Sequence, residues 1–421
     1  MGRNSVRQPR LESLDIVRGA GVMGVIFLHT TLYHYANLLS IDFSNPPAIV
    51  TAIGFLLMWA GLFAMVSGIA HAVRTVERLD SGLAPGHVVR WSLVSAFVML
   101  VTSYVYFLFL GPALLDRVAG NHDYSMLAGL ITTGKLVVPS IQRLLYVDSL
   151  TMIAFGIALT VPIAVAVISR TSIERRGRAV AILAALGSAV VLASWVRIDL
   201  YPIVERAIAE RDFGTALPLV YLANKNNPIL PFWGFTLIGA ALGVSIARPD
   251  GWKRTWRWAL GFGVAWLVAG VIGYVTLPDT MLERSVDPMW FFIMVVQVGL
   301  FTLLVLLAMR LRDRRPAEKP MGPIARVIRR FGVAGLSVFL IETPISALIA
   351  RGLTAVAPGW NDTMPAALLF GAVYLAAWAG VLALWERSDY RFSAERLLVR
   401  AMGALGKPST KAEPLEASGG E

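Results

Sequence analysis

The chain has 421 residues, no cysteine and a formal net charge of +11; 56% of its residues are hydrophobic and 15% charged, with a mean hydropathy of +0.65. Soluble proteins carry about 25% charged residues, so composition excludes an ordinary soluble domain. The lack of cysteine excludes disulfides, thiolate nucleophiles and thiolate metal sites.

Several apolar runs reach the ~20 residues that cross a bilayer as a helix. The alternating pattern of a membrane barrel is absent, so backbone satisfaction in lipid predicts an all-α polytopic bundle. Ten spans are expected, near residues 13–38, 48–73, 88–112, 144–169, 178–196, 228–248, 256–277, 289–310, 332–352 and 364–385. With the N-terminus inside, 28 of the 38 Lys and Arg fall in inner segments or at the inner ends of spans and eight in outer segments, while Arg18 and Arg351 are counted within spans. This positive-inside bias predicts that both termini are cytoplasmic. The basicity thus reads as topology and contact with anionic lipid, and gives no support to a nucleic-acid partner. We expect a multi-pass plasma-membrane protein with one domain over residues 1–400 and a disordered cytoplasmic tail over 401–421.

The first span, S-L-D-I-V-R-G-A-G-V-M-G-V-I-F-L-H-T-T-L-Y-H, carries Asp15, Arg18 and His29 in an apolar run. Its length and its internal charges argue for a retained helix over a cleaved signal peptide. Ionisable groups inside a membrane mark functional sites by default. Asp15 and Arg18 are neighbours at i and i+3. Arg18 and His29 are three turns apart, on one face and roughly 16 Å apart along the axis. His34 follows at the outer end, about 140° round from His29, so the two make a poor metal pair. No other metal-ligand set is visible, and no metal is expected.

The second span holds Gly61, Ser67 and Gly68, which suit close helix contacts, and His71 reads as an interfacial histidine. The outer segment from Gly111 to Arg143 is longer than a connector needs. Asp148 opens the fourth span, where a carboxylate can satisfy free helix N–H groups. A short amphipathic helix is expected across the outer face within residues 197–227. Pro228 and Pro231 predict a kinked start to the sixth span. Glu342 lies roughly midway through the ninth span; a carboxylate facing lipid there would be costly, so it is expected to face the bundle interior with Asp148, towards a polar cavity. After the tenth span comes a basic amphipathic segment, expected on the inner leaflet.

S-L-D-I-V-R-G followed by His29 resembles the opening helix of the transmembrane acyltransferases. These include heparan-alpha-glucosaminide N-acetyltransferase-like proteins and the polysaccharide O-acyltransferases of acyltransferase family three. Three further stretches fit the heparan-type branch: L-F-A-M-V-S-G, N-P-I-L-P-F-W-G-F-T-L-I-G-A-A-L-G and Y-R-F-S-A-E-R-L-L-V-R. In family three an Arg and a His with ten residues between them mark the active site, a spacing that Arg18 and His29 match. The aromatic- and glycine-rich stretch around the heparan-type catalytic histidine is not reproduced, so both His29 and His34 stand as candidates, with spacing favouring His29.

The resemblance implies an acyl-CoA (acetyl-CoA) co-substrate and a glycan or amino-sugar acceptor. Imidazole can serve as base or nucleophile near neutral pH. Arg18, oriented by Asp15, would bind the donor's phosphates at the inner mouth. The competing class is a proton-coupled transporter or flippase using Glu342, Asp148 and His29 without acyl chemistry.

Overall fold

The computed structural model describes residues 11–41, 59–116, 121–172, 176–248, 251–277, 286–313 and 320–405. The helices in chain order are α1 (Glu12–His34), α2 (Ala60–Asp80), α3 (Pro85–Val105), α4 (Met126–Thr133), α5 (Ser149–Ser169), α6 (Arg176–Ala193), α7 (Arg197–Ala209), α8 (Phe213–Ala223), α9 (Ile229–Ile246), α10 (Gly251–Val275), α11 (Pro288–Arg312), α12 (Pro323–Val333), α13 (Gly335–Val356), α14 (Met364–Arg387) and α15 (Ala394–Leu405). One two-stranded hairpin, β1 (Leu114–Asp116) with β2 (Asn121–Asp123), sits in the long outer segment. The chain is an all-α polytopic membrane bundle. Nine helical segments among the described residues are long and apolar enough to cross a membrane. Helix α2 is not among them: it stands in the core, covers only the later part of the expected second span and runs on to Asp80, and the part of that span before residue 59 lies outside the described residues.

Nearly every residue of α9 is buried, as befits a helix that is apolar all round. It packs against α2, α6 and α5. Small residues permit that approach: a Cβ on Gly68 would collide with the Thr236 carbonyl, and one on Gly239 with the Met65 carbonyl. Leu230 has φ −92° and ψ 125° inside the first turn, the kinked start that Pro228 and Pro231 predict.

Both described ends of the chain lie at one end of the bundle. Ser13 N donates to Asp313 Oδ1 (3.2 Å) and Arg312 Nε to Glu12 Oε2 (2.6 Å), which sets the start of α1 beside the end of α11. Arg330 Nε reaches Glu386 Oε2 at 2.8 Å, at the end of α14. At the opposite end, Ala36 N donates to Asn361 O in the α13–α14 connection (3.2 Å). This arrangement fits an even number of crossings with both termini on one side.

Three expectations need adjustment. The fifth span does not stop at residue 196: α6 runs through a 3-10 turn at Ser194–Val196 into α7. The outer segment then holds a second, apolar helix, α8, packed on α7. The expected tail boundary at 400 falls inside α15, which continues to Leu405; residues 406–421 lie outside the described residues.

Candidate functional site

Helix α1 is unbroken from Glu12 to His34, so Arg18 and His29 stand on one rigid rod, roughly 16 Å apart at ~1.5 Å per residue. His29 lies in the outer part of α1, five residues before its end. Its Nδ1 is 2.7 Å from Glu342 Oε1 on α13. Glu342 is completely buried, and the His29 side chain is 14% exposed. Thr343 Oγ1 donates to the same carboxylate oxygen (2.8 Å), and Tyr374 Oη donates to the Glu342 backbone carbonyl (2.6 Å). A carboxylate only accepts, so this contact fixes the proton on Nδ1 and leaves Nε2, on the far side of the ring, as the basic nitrogen. The rings of Tyr33 and Phe339 pack against the imidazole at 5.3 and 6.2 Å between centroids.

His34 has a different environment. Its Nε2 is 3.1 Å from Ser346 Oγ and its ring meets Phe370 edge-on at 5.5 Å. A hydroxyl cannot stabilise an imidazolium as a carboxylate can, so the two histidines differ in the partner each has.

Asp148 is the N-cap of α5. Its Oδ1 accepts from Thr151 N (2.7 Å) and from Ser103 Oγ (2.5 Å), tying α5 to α3. This is the helix-start role expected of a carboxylate there. Both Asp148 and Glu342 lie within electrostatic reach of Tyr106, so they belong to one outer-side region without being in direct contact.

Arg18 and Asp15 do pair: Nη1 is 3.5 Å from Oδ1, and the same nitrogen donates to the Gly332 carbonyl (3.3 Å) at the end of α12. They line a cavity of about 1110 Å³ at the inner end, walled by the start of α1, the end of α2, α12 and the segment from Glu386 to Arg400. Small-molecule sites usually span roughly 300–1,000 Å³, so the space suits a large ligand. Five arginines (Arg18, Arg74, Arg329, Arg396, Arg400) and five carboxylates (Asp15, Glu77, Glu386, Asp389, Glu395) line it. Several carboxylates are already engaged: Asp389 with Arg396, Glu386 with Arg330, and Glu395 with the backbone amides of Leu336 and Ser337 at the start of α13 (2.7 and 3.1 Å). The lining includes neither His29, Glu342 nor Asp148, so Arg18 and His29 share a helix but not this cavity.

Two elements of the region carry no signal in the sequence. The last turn of α3 is a π-helix, Tyr106–Leu110, closed by Gly111 N donating to Tyr106 O (2.7 Å). It buries Tyr106, whose ring packs on Phe339 at 4.6 Å. Arg143, 1% exposed, grips this turn from the outer segment, donating to the carbonyls of Phe107 and Pro112 (2.6 Å each) and of Asp123, and pairing with the Asp123 carboxylate at 3.4 Å. Burial pulls the Arg143 pKa below arginine's ordinary value, and Asp123 opposes that shift. Among the described residues no group of three or more His, Cys, Asp or Glu is arranged to hold a metal ion.

Fold and geometry define a polytopic α-helical membrane protein with a buried His–Glu pair towards one end of the bundle and a charged cavity at the other. No family model matches the chain, and no curated protein matches it either.

Proposed function

We propose that the protein is an integral-membrane acyltransferase, moving an acyl group, as acetyl from acetyl-CoA, to a hydroxyl or amine of a glycan or amino sugar on the outer side of the plasma membrane. The observation that carries this reading is the 2.7 Å bond between His29 Nδ1 and the buried Glu342 carboxylate. A histidine held by a carboxylate is a general base whose conjugate acid is stabilised where it forms. His29 Nε2 takes the acceptor's proton as the acceptor atom attacks the thioester carbonyl. The C–S bond then breaks, and the CoA thiolate takes that proton from the imidazolium. Arg18, steadied by Asp15, is the cation proposed for a donor phosphate in the inner cavity; the donor's pantetheine arm would then span the distance along α1 to His29.

The test is acyl transfer by the purified protein from acetyl-CoA to a panel of amino sugars and glycans. His29→Ala is expected to keep donor binding and lose turnover by ~100-fold or more. Arg18→Ala is expected to raise the donor KM chiefly, with Asp15→Asn plus Arg18→Gln as the control for the stranded carboxylate. If no acyl-CoA is consumed with any acceptor, the proton-coupled transporter reading takes its place, because a buried His–Glu pair can also carry a proton across a bundle.

A further inference from the structure

The Tyr106 hydroxyl is not used by the chemistry above. Tyr106 is 1% exposed, and among the described residues its hydroxyl makes no well-formed hydrogen bond, although Thr343 is close enough to act on it. A phenylalanine would fill the same space without stranding a polar atom, so packing alone does not explain the hydroxyl. Nor does it stand among apolar groups. Thr343, which donates to Glu342, is beside it, and Glu342, Asp148 and Tyr33 all act on it electrostatically. Its ring packs on Phe339 at 4.6 Å, as that of His29 does at 6.2 Å, and Tyr33 packs on His29 at 5.3 Å. The imidazole on α1 and the phenol just after α3 therefore both pack on Phe339 of α13. The second oxygen of Glu342 and Oδ2 of Asp148 likewise lack hydrogen-bond partners among the described residues. Arg143 holds one carbonyl of the π-helical turn, that of Phe107, and that of Pro112 just beyond it. Such turns recur at functional sites.

We propose that Tyr106 is a catalytic residue whose O–H donates to the thioester carbonyl oxygen in the transition state, an assignment that rests on the acyl-transfer reading. As the acceptor atom bonds to the carbonyl carbon, the C=O electron pair moves onto oxygen and is held by the Tyr106 hydroxyl. His29 holds the acceptor's proton. When the C=O bond re-forms, the C–S bond breaks and the thiolate leaves with that proton. Tyr106 ends as it began, protonated. A fixed donor in a water-poor site is effective because it is oriented before charge develops.

The test is Tyr106→Phe in the full-length purified protein, measured beside wild type and His29→Ala. Expected is a ~100-fold fall in kcat, the range for losing one oxyanion donor, with the KM for acetyl-CoA unchanged and thermal stability equal or higher. A thioether analogue of acetyl-CoA, which lacks the carbonyl oxygen, should bind wild type and Tyr106→Phe equally; a merely structural role would weaken that binding as well. Wild-type kcat in Tyr106→Phe would overturn the assignment while leaving acyl transfer intact, as would a kcat loss that tracks weaker thioether binding. A wild-type protein that consumes no acetyl-CoA would overturn both.

Discussion

On the proposed acyl-transfer mechanism, the His29–Glu342 pair serves the chemistry, whereas the Arg143 knot serves stability. Glu342→Gln keeps an acceptor for the Nδ1 proton but no longer stabilises the imidazolium. Its kcat should therefore fall by at least ~10-fold with the donor KM unchanged, a smaller loss than for His29→Ala. His34→Ala should leave kcat within a few-fold of wild type, because Ser346 gives that ring no charge to work with. Arg143→Met should instead unfold the outer region. It strands the carbonyls of Phe107, Pro112 and Asp123 and leaves the Asp123 carboxylate unpaired. Removing one partner of a buried pair costs about 3–5 kcal/mol. Thermal denaturation in detergent checks this, and adding Asp123→Asn should recover part of the loss. His29 and Glu342 were legible in the sequence as charge-bearing groups inside apolar runs. Their pairing was not, because 313 residues separate them. Tyr106 and Arg143 were illegible as site residues: aromatics and cations near a membrane interface are ordinary, and a π turn has no sequence signature here.

At the level of elements, close helix contacts decide what can be changed. Gly239→Val should abolish monodisperse folded protein, because its side chain meets the Met65 backbone of α2. Gly24→Ala should be neutral, since nothing lies within 4 Å of its Cβ position. Size-exclusion profiles of the two variants compare the cases. The outer hairpin should respond to pH through His122 on β2, which stacks on Tyr124 at 5.8 Å. Burial lowers the His122 pKa from its ordinary 6.5. Between the lowered folded value and 6.5 the unfolded state binds more protons, so stability is full above pH 6.5 and declines as pH falls below it. Amide protection factors, corrected for the intrinsic pH dependence of exchange, should fall in that window over Leu114–Asp116 and Asn121–Asp123, and His122→Gln should flatten the response. Helix positions were readable from apolar length and from glycine and proline placement. The join of α6 to α7 and the existence of α8 were not, because polar outer-face sequence obscures how far a span continues.

For the whole molecule, the alternation of helix ends and the Lys and Arg asymmetry together give a definite topology. With no native cysteine, Val138→Cys, in the outer segment and 85% exposed, should label with an impermeant maleimide in intact cells. Ser81→Cys, in the α2–α3 turn, should label only after permeabilisation. On that expected topology the Arg18 cavity faces the cytoplasm and the His29–Glu342 pair lies towards the outside, the arrangement that the proposed donor and acceptor would need. The most direct measurement uses proteoliposomes sorted for one orientation, with radiolabelled acetyl-CoA on the Arg18 side and an amino-sugar or glycan acceptor on the other. Acyl transfer predicts acetylated acceptor on its own side of the membrane in wild type and none with His29→Ala. Unmodified acceptor crossing the bilayer with acetyl-CoA left intact would contradict it.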